Sequence, residues 1–311
     1  MSNHLLFIAG SDIDYFYEVE SFPLPGEATT SKYIETKVGG CVLNTACVAS
    51  KLGSKTKVLD ILNSDDEGTK LILDALKNNN VDTEDIELNK DAVNGKCIIM
   101  KKDDEKIIYV IDPKKEKYNI EKIKDTLKNS SYIYSLATIL KSSFSDLSII
   151  DELKNSGTKI ILDASGQYTK KEDADVLLKY ADGFFMNKSS LDKLSSCLGY
   201  NPIDELLNRG LEFACITDGG NGVTCYTKDS LYTQQAIKVK VVDSTGAGDS
   251  FAGSFLHFYS NNEPIDSCLK YASASGAYAC SKVGGMAGVI EYAELIRFLK
   301  EKSVWKHGKE N

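Results

Sequence analysis

The stretch Asp243-Ser244-Thr245-Gly246-Ala247-Gly248-Asp249-Ser250-Phe251 leaves a predicted strand, turns through two glycines and enters a predicted helix. Small residues in the turn let the backbone come close to a ligand. The amides of Gly246, Ala247 and Gly248 stand at the helix start, where unpaired N–H groups form an anion site. Asp249 lies in the first helical turn, where the positive end of the helix dipole stabilises its carboxylate.

An acid beside an anion site is the arrangement that accepts a hydroxyl proton while a phosphoryl group is transferred. The alternative is that Asp249 is only a favourable helix-start residue, as a single aspartate often is. The chain has just two arginines, Arg209 and Arg297, so an arginine-rich phosphate clamp cannot be built. Any bound phosphate must therefore be held by backbone amides, lysines or a metal.

Other nucleotide-binding and hydrolase motifs are missing from the sequence. No G-x-x-x-x-G-K-[ST] stretch occurs, and Gly246-x-Gly248 lacks the third glycine and the N-terminal position of a dinucleotide fingerprint. No G-x-S-x-G elbow is present, and the three histidines include no obvious general base. A P-loop protein, a nicotinamide-dependent oxidoreductase and an acyl-transfer hydrolase are therefore not expected.

Composition limits the remaining classes of function. The 311 residues are 42% hydrophobic and 26% charged, which is typical of a globular protein with a full core. A net charge of −8 argues against a general electrostatic grip on nucleic acid or on an anionic membrane, so a small-molecule substrate is expected. Eight singly placed cysteines without a C-x-x-C pair, no signal peptide and no membrane-length apolar run predict a cytoplasmic protein without a zinc site.

Short β-type runs alternate with helix-length segments, which predicts an α/β fold with a mostly parallel sheet covered by helices. The predicted strands are Leu5–Ala9, Lys57–Leu62, Tyr132–Leu136, Lys159–Asp163, Gly183–Asn187, Phe213–Thr217, Gly222–Tyr226 and Ile237–Val242. The last two are too close in the chain for a crossover helix and should pair antiparallel. The predicted helices are Val42–Leu52, Glu67–Asn79, Ile120–Lys128, Ser145–Ser156, Lys171–Tyr180, Ser250–Tyr259 and Pro264–Ser281.

Two segments, residues 14–37 and 95–111, depart from this alternation because they hold strand-like runs, with no helix inside 95–111. They predict a small sheet beside the core, with residues 101–106 as an exposed hairpin tip. A lid over the site is the functional interpretation, and a simple edge extension is the alternative. We expect residues 1–311 to form a single domain, with a polar end from Trp305 onward and an exposed lid sheet that could pair with a second copy as a homodimer.

Five predicted strands end in small or acidic residues. These are Gly10 to Asp14, Asp163, Asn187, Asp218 to Gly222, and Asp243 to Asp249. Because ligands bind at the carboxyl ends of the strands in open α/β sheets, the five ends predict one common site. The alternative is that these residues belong to ordinary loops, which are also polar.

At this point the chain resembles the ribokinase, or pfkB-type carbohydrate kinase, family over nearly its whole length. Asp243–Asp249 is similar to the family signature D-T-x-G-A-G-D, and Gly39–Ala46 resembles its G-G-x-x-x-N-x-A signature. Thr217–Gly222 resembles the nucleotide-loop pattern T-x-G-x-x-G, and Asp12-Ile13-Asp14 followed by residues 20–27 adds a further match. Two signatures in the right order, some 200 residues apart, make the resemblance specific.

The resemblance implies a three-layer αβα fold with a β lid and an enzyme that uses ATP and Mg²⁺ to phosphorylate a primary hydroxyl of a sugar or nucleoside. Asp249 would be the general base, and the amides of Gly246, Ala247 and Gly248 the anion hole. Substrate hydroxyls would be held by Asp12, Asp14, Gly39, Gly40 and Asn44. The nucleotide would lie against Asn187, Thr217, Gly219 and Gly222.

Several positions differ from the family pattern. Ser190 stands where the family often has the glutamate of N-x-x-E, Asp12 where ribokinases often have asparagine, and Cys41 where ribokinases have lysine. Residues 283–288 fit the family's monovalent-cation loop except for the glycine at the last position, Gly288. The resemblance therefore leaves undecided whether K⁺ binds at this loop and Asp243. The alternative function is a catalytically weak or inactive sugar- or nucleoside-binding regulator of the same fold, although Asp249 is retained.

Overall fold

The structure is a computed structural model, and it describes residues 4–103, 105–111, 116–166, 168 and 170–307. Its strands are β1 (His4–Ile8), β2 (Asp12–Val19), β3 (Ser31–Gly39), β4 (Lys55–Leu59), β5 (Ile61–Leu62), β6 (Glu87–Leu88), β7 (Gly95–Lys102), β8 (Glu105–Ile111), β9 (Tyr132–Leu136), β10 (Lys159–Asp163), β11 (Gly183–Asn187), β12 (Phe213–Thr217), β13 (Val223–Tyr226) and β14 (Leu231–Gln234). Its helices are α1 (Cys41–Lys51), α2 (Glu67–Asn78), α3 (Ile120–Lys128), α4 (Ala137–Ser143), α5 (Ser148–Asn155), α6 (Asp175–Tyr180), α7 (Lys188–Leu198), α8 (Ile203–Asn208), α9 (Ala247–Ser260), α10 (Ile265–Cys280) and α11 (Tyr292–His307).

The central sheet has eight strands in the order β14-β13-β12-β11-β10-β9-β1-β4. The strands from β12 to β4 pair in parallel, while β13 and β14 pair antiparallel at one edge. The run Leu5 to Ile8 in β1 is buried on both faces, as expected for a strand covered by helices on either side. Two separate hydrophobic clusters lie on the two faces, which gives three layers and confirms the predicted fold class.

Aromatic packing fixes α9 on one face of the sheet. Phe255 of α9 lies with its ring centroid 4.8 Å from that of Phe213 in β12 and 5.3 Å from that of Phe185 in β11. Gly253 of the same helix faces α1, where a Cβ atom would come within 2.5 Å of the Thr45 carbonyl oxygen. The glycine therefore lets α1 and α9 pack closely, and this contact positions the first turns of both helices beside each other.

A second, four-stranded sheet has the order β3-β2-β7-β8. Its strands come from the two segments predicted as a lid, and the structure extends the first of them to Asp12 and Gly39. In β2 and β7, Asp14 lies opposite Cys97, and in β7 and β8, Cys97 lies opposite Val110. The predicted hairpin tip is shorter than expected because β7 and β8 continue to Lys102 and from Glu105.

Three predicted elements differ in the structure. Residues 237–242 form no strand, and the antiparallel partner of β13 is instead β14, reached through a short turn. Lys57–Leu62 is not one strand, since after Leu59 the Asp60 carboxylate accepts bonds from the amides of Ser11 and Ile61 and the chain turns out of the sheet. Lys171–Tyr180 is a single 3₁₀ turn followed by the shorter α6.

Four helices were not predicted from the sequence: α4, α7, α8 and α11. α7 begins at an asparagine cap, because the Asn187 side chain accepts a bond from the Ser190 amide. The tail predicted as a polar end is helical as far as His307, and residues 308–311 lie outside the described residues. Over the described parts of the chain, no helix is both long and apolar enough to cross a membrane.

Candidate active site

Asp249 and Asn44, which are 205 residues apart in sequence, meet where α1 and α9 begin. The Asn44 side-chain amide Nδ2 donates to Asp249 Oδ2 over 2.8 Å. Burial raises the pKa of Asp249 to about 7, against the lowering effect of the Asn44 bond and with a further rise from the nearby Asp163 carboxylate. A carboxylate with a pKa near neutrality is suited to exchange a proton with a substrate hydroxyl.

The turn before α9 depends on glycine. Gly246 has a φ of 76°, and a Cβ atom there would run into the Gly285 carbonyl oxygen. A Cβ atom on Gly248 would meet nothing within 4 Å, so open space lies in front of that residue. The Ala247 amide donates to the Ser244 carbonyl over 3.2 Å, which corrects the expectation that all three amides are free.

The residues predicted to hold the hydroxyls of the phosphoryl acceptor lie together at the start of α1. Gly39 leaves room for Asp14, because a Cβ atom would come within 2.5 Å of the Asp14 carboxylate. Gly40 has a φ of 101° and lies against the backbone of Gly10. The Asn44 Oδ1 atom is buried and has no hydrogen-bond partner among the described residues, so it is an acceptor left for a ligand hydroxyl.

Two further carboxylates lie on this side of the site. Asp12 stands at the start of β2 with Oδ1 close to Gly95, where a Cβ atom would overlap it. Burial raises the pKa of Asp14, while a bond with the Cys97 thiol and the charge of Lys37 lower it. The expected neighbours Asp12 and Asp14 thus both lie beside the start of α1, on the strand that leads into the lid sheet.

A cavity of about 730 Å³ lies on the other side of the loop before α9. It is lined by all four residues expected to bind nucleotide, namely Asn187, Thr217, Gly219 and Gly222, and by Ala247 and Gly248. Sequence reasoning missed one of its walls, which consists of residues 236–239 together with Gly276 and Ala277. The alternation of Ile237, Val239 and Val241 was the available signal, but it was interpreted as a strand.

Ser190, which replaces the family glutamate, has a structural environment of its own. Its Oγ accepts a bond from the Gly166 amide over 3.2 Å, so it ties α7 to the loop after β10. The loop that Ser190 contacts begins after Asp163 at the end of β10, and the Asp163 carboxylate accepts a bond from the Ser165 amide over 2.7 Å. Burial raises the pKa of Asp163, against bonds from Ser165 and Tyr134.

Asp243 joins two loops of the site. Its Oδ1 accepts bonds from the Thr245 amide and hydroxyl at 3.0 and 2.7 Å, and its Oδ2 accepts one from the Gly284 amide at 3.1 Å. Burial alone would raise the pKa of Asp243, but these bonds and the charge of Lys106 lower it. Across the described residues, no group of three or more His, Cys, Asp or Glu side chains is arranged to hold a metal ion.

Comparison with known proteins gives a consistent result. The sequence profile of the "pfkB family carbohydrate kinase" family matches residues 3–291. A ribokinase of Dictyostelium discoideum is 26% identical, over 91% of this chain and 96% of that protein. A nucleoside kinase of Methanothermobacter thermautotrophicus is also 26% identical, over 94% of each chain. The structure of Arabidopsis thaliana ribokinase complexed with ribose and ATP superposes with a TM-score of 0.82 at 21% identity, covering 96% of this chain and 99% of that one.

Proposed function

The chain belongs to the pfkB family of carbohydrate kinases, and from that membership we propose that it transfers the γ-phosphoryl group of ATP to a primary hydroxyl of a sugar or nucleoside. One observation carries the proposal most directly. Asp249, bonded to Asn44 on the acceptor side, lies one residue after Gly248, which borders the large cavity. The proposed base and anion hole would thus lie between the residues proposed to bind the acceptor and the cavity proposed to hold the nucleotide.

In the proposed reaction Asp249 accepts the proton of the acceptor hydroxyl, and the hydroxyl oxygen forms a bond to the γ-phosphorus. The bond between that phosphorus and the oxygen bridging to the β-phosphate breaks, and ADP leaves with the electron pair. The amides of Gly246 and Gly248, which donate no hydrogen bond to any described residue, would stabilise the charge on the equatorial oxygens. Asn44 holds the Asp249 carboxylate in place.

The residues present fit a Mg²⁺ ion bound mainly through ATP phosphates. Ser165, Asn187 and Thr217, which carry side-chain oxygens, line the cavity, and Asp163 lies two residues before Ser165. Magnesium prefers such hard oxygen donors and keeps several waters, and when bound it neutralises phosphate charge.

A K⁺ ion near Asp243 stays a proposal. The eight unpaired cysteines support the proposed cytoplasmic location.

The decisive experiment is ADP release that depends on an added acceptor. The panel would contain ribose, fructose, 2-keto-3-deoxygluconate, adenosine, uridine and pseudouridine, each with ATP and Mg²⁺. Turnover with at least one acceptor supports the kinase. Acceptor binding by calorimetry without any ADP release would instead favour the inactive regulator, which is the alternative function.

Replacing Asp14 with alanine should weaken acceptor recognition. A carboxylate facing Gly39 can accept two hydrogen bonds from vicinal hydroxyls, and such charge-assisted bonds are worth about 1.5–3 kcal/mol. The acceptor KM should therefore rise by roughly 10- to 150-fold, while the KM for ATP stays unchanged because ATP occupies the other side of the loop before α9. Steady-state kinetics together with the melting temperature of the variant check this. A lower melting temperature with an unchanged acceptor KM would mean that Asp14 only stabilises the start of the lid.

We also propose that the lid pairs with the lid of a second copy. β8 is the last strand of its sheet, all seven of its residues are exposed, and five consecutive residues from Ile107 to Ile111 are apolar. Exposed apolar edge strands are templates for pairing with another chain. Tyr109→Asp should convert a dimer into a monomer in light scattering, whereas Leu71→Asp on the exposed face of α2 should not. A monomeric wild-type protein would contradict the proposal.

A further inference from the structure

The proposed reaction lacks an arginine to meet the charge of the transferred phosphoryl group. Arg209 is exposed on the C-terminal side of α8 and pairs with Glu205, and Arg297 is exposed on α11. Within the described residues, neither arginine lines the large cavity, and neither contacts the residues proposed to bind the phosphoryl acceptor. Transferring phosphoryl groups are stabilised by positive charge as well as by amide donors, so a lysine near the loop before α9 is the group to look for.

Lys106 of the lid reaches this loop. Its Nζ donates to the Thr245 hydroxyl over 2.9 Å and lies 3.9 Å from Asp243 Oδ1, across 139 residues of sequence. Thr245 directly precedes Gly246, and the neighbouring Ser244 and Ala247 line the cavity. The ammonium group therefore lies at the loop between the residues proposed to bind the acceptor and the cavity proposed to hold the nucleotide.

The register of the lid sheet explains why Lys106 faces the site. Lys106 pairs with Lys101, and Lys101 lies on the same face of β7 as Cys97, because successive side chains alternate between faces. Cys97 in turn pairs with Asp14, whose carboxylate lies against Gly39. The lid face that carries the acceptor-binding carboxylate is thus the face that carries Lys106.

Two further lysines on this face, Lys37 and Lys101, lie over the Phe16 ring, and the Lys101 Nζ is 5.8 Å from the ring centre. Lys37 Nζ lies 2.8 Å from Glu35 and 5.3 Å from the centre of the Phe16 ring. Among the described residues, the nearest partner of Lys106 is instead a hydroxyl, and an aspartate lies only at the limit of ion-pair distance. A neutral hydroxyl is readily exchanged for a charged phosphate oxygen, which makes a stronger hydrogen bond with an ammonium group.

We propose that Lys106 is a catalytic residue that contacts the transferred phosphoryl group when the lid is closed. Its ammonium group leaves the Thr245 hydroxyl for a phosphoryl oxygen and stabilises the charge that spreads over the three equatorial oxygens. This inference rests on the proposed kinase function. A mere latch between lid and loop is the competing role, and it would change acceptor affinity rather than the rate of transfer.

The test compares Lys106→Met, which keeps the length of the side chain and removes its charge, with Lys106→Arg, which keeps the charge. Lys102→Met is the matched control, because Lys102 is on the same hairpin but on the opposite face. Lys106→Met should lower kcat about 10²-fold, which is the typical effect of losing one group that stabilises transition-state charge, with both KM values within about threefold of wild type. The kcat of Lys106→Arg should be at least tenfold higher than that of Lys106→Met, and the kcat of Lys102→Met should match that of the wild type.

A second readout separates the catalytic role from the latch. ADP with aluminium fluoride mimics the transferred group, and its affinity should fall in Lys106→Met while the affinity for ADP alone does not. An unchanged kcat, or a raised acceptor KM at unchanged kcat, would overturn the proposal. Absence of turnover by the wild type with every acceptor would instead refute the kinase function itself, and the role of Lys106 would fall with it.

Discussion

Replacing Asp249 with asparagine should lower kcat by on the order of 10²–10⁴ and leave ATP binding nearly intact, because general-base catalysis contributes a factor of that size. Asparagine fills the same space and can still accept the bond from Asn44 Nδ2, so the surrounding structure should be kept. Single-turnover phosphoryl transfer and calorimetric ATP binding measure the two effects. Wild-type turnover by the variant would remove Asp249 from the mechanism.

The pH dependence gives an independent check of the same residue. Burial raises the pKa of Asp249 from 3.8 to about 7, and only the deprotonated carboxylate accepts a proton. For the wild type, kcat/KM should therefore fall tenfold per pH unit below about pH 7. Residual activity of Asp249→Asn should lack that acid limb. A wild-type profile that is flat down to pH 5 would contradict the assignment.

The raised pKa of Asp249 also affects stability, in a direction that can be tested. The folded state binds this proton more tightly than the unfolded chain, so ionisation of Asp249 destabilises the fold. The cost is absent below the ordinary pKa of 3.8, grows as the pH rises, and is complete above about 7. Asp249→Asn should thus melt higher than the wild type at pH 8, and the difference should shrink at pH 5.

Much of the fold follows from local sequence patterns. Apolar runs such as Leu5 to Ile8 and Phe213 to Ile216 are followed by small or polar residues, and this pattern predicted both the strands and the edge of the sheet where the candidate site lies. The helix Ser250–Tyr259 was predicted from the spacing of its apolar residues, and in the structure this helix begins three residues earlier, at Ala247. Such elements are encoded within about ten residues, which is why one sequence suffices to find them.

The contacts that make the site depend on distant residues and could not be predicted in this way. The bond between Asn44 and Asp249 requires α1 and α9 to approach closely, and Gly253 in the middle of α9 permits this approach. Nothing in the local sequence around Gly253 indicates that role. The reach of Lys106 to Thr245 depends on the register of the lid strands. In the cavity wall, residues 236–239 alternate like a strand but lack a partner strand. The sequence pattern alone cannot distinguish a paired strand from an extended segment without a partner strand.

Gly248→Val should abolish turnover, with a loss of at least about 10³-fold, because the new side chain fills the space assigned to the transferred phosphoryl group. A Cβ atom on Gly248 would meet no neighbouring residue within 4 Å, and Gly248 has no positive φ, so the backbone tolerates a side chain at this position. The melting temperature should therefore stay within about 2 °C of wild type, since surface substitutions of this kind change stability little.

The neighbouring glycine provides the contrast that makes this result interpretable. Gly246→Ala places a Cβ atom on a residue with a φ of 76° and against the Gly285 backbone, so this variant should lose stability as well as activity. Gly248→Ala, with its smaller side chain, should lose less activity than Gly248→Val at unchanged stability. Turnover and thermal melting of the three variants check the assignment together. If Gly248→Val keeps wild-type turnover, the phosphoryl group does not pass in front of Gly248, and the anion hole lies elsewhere.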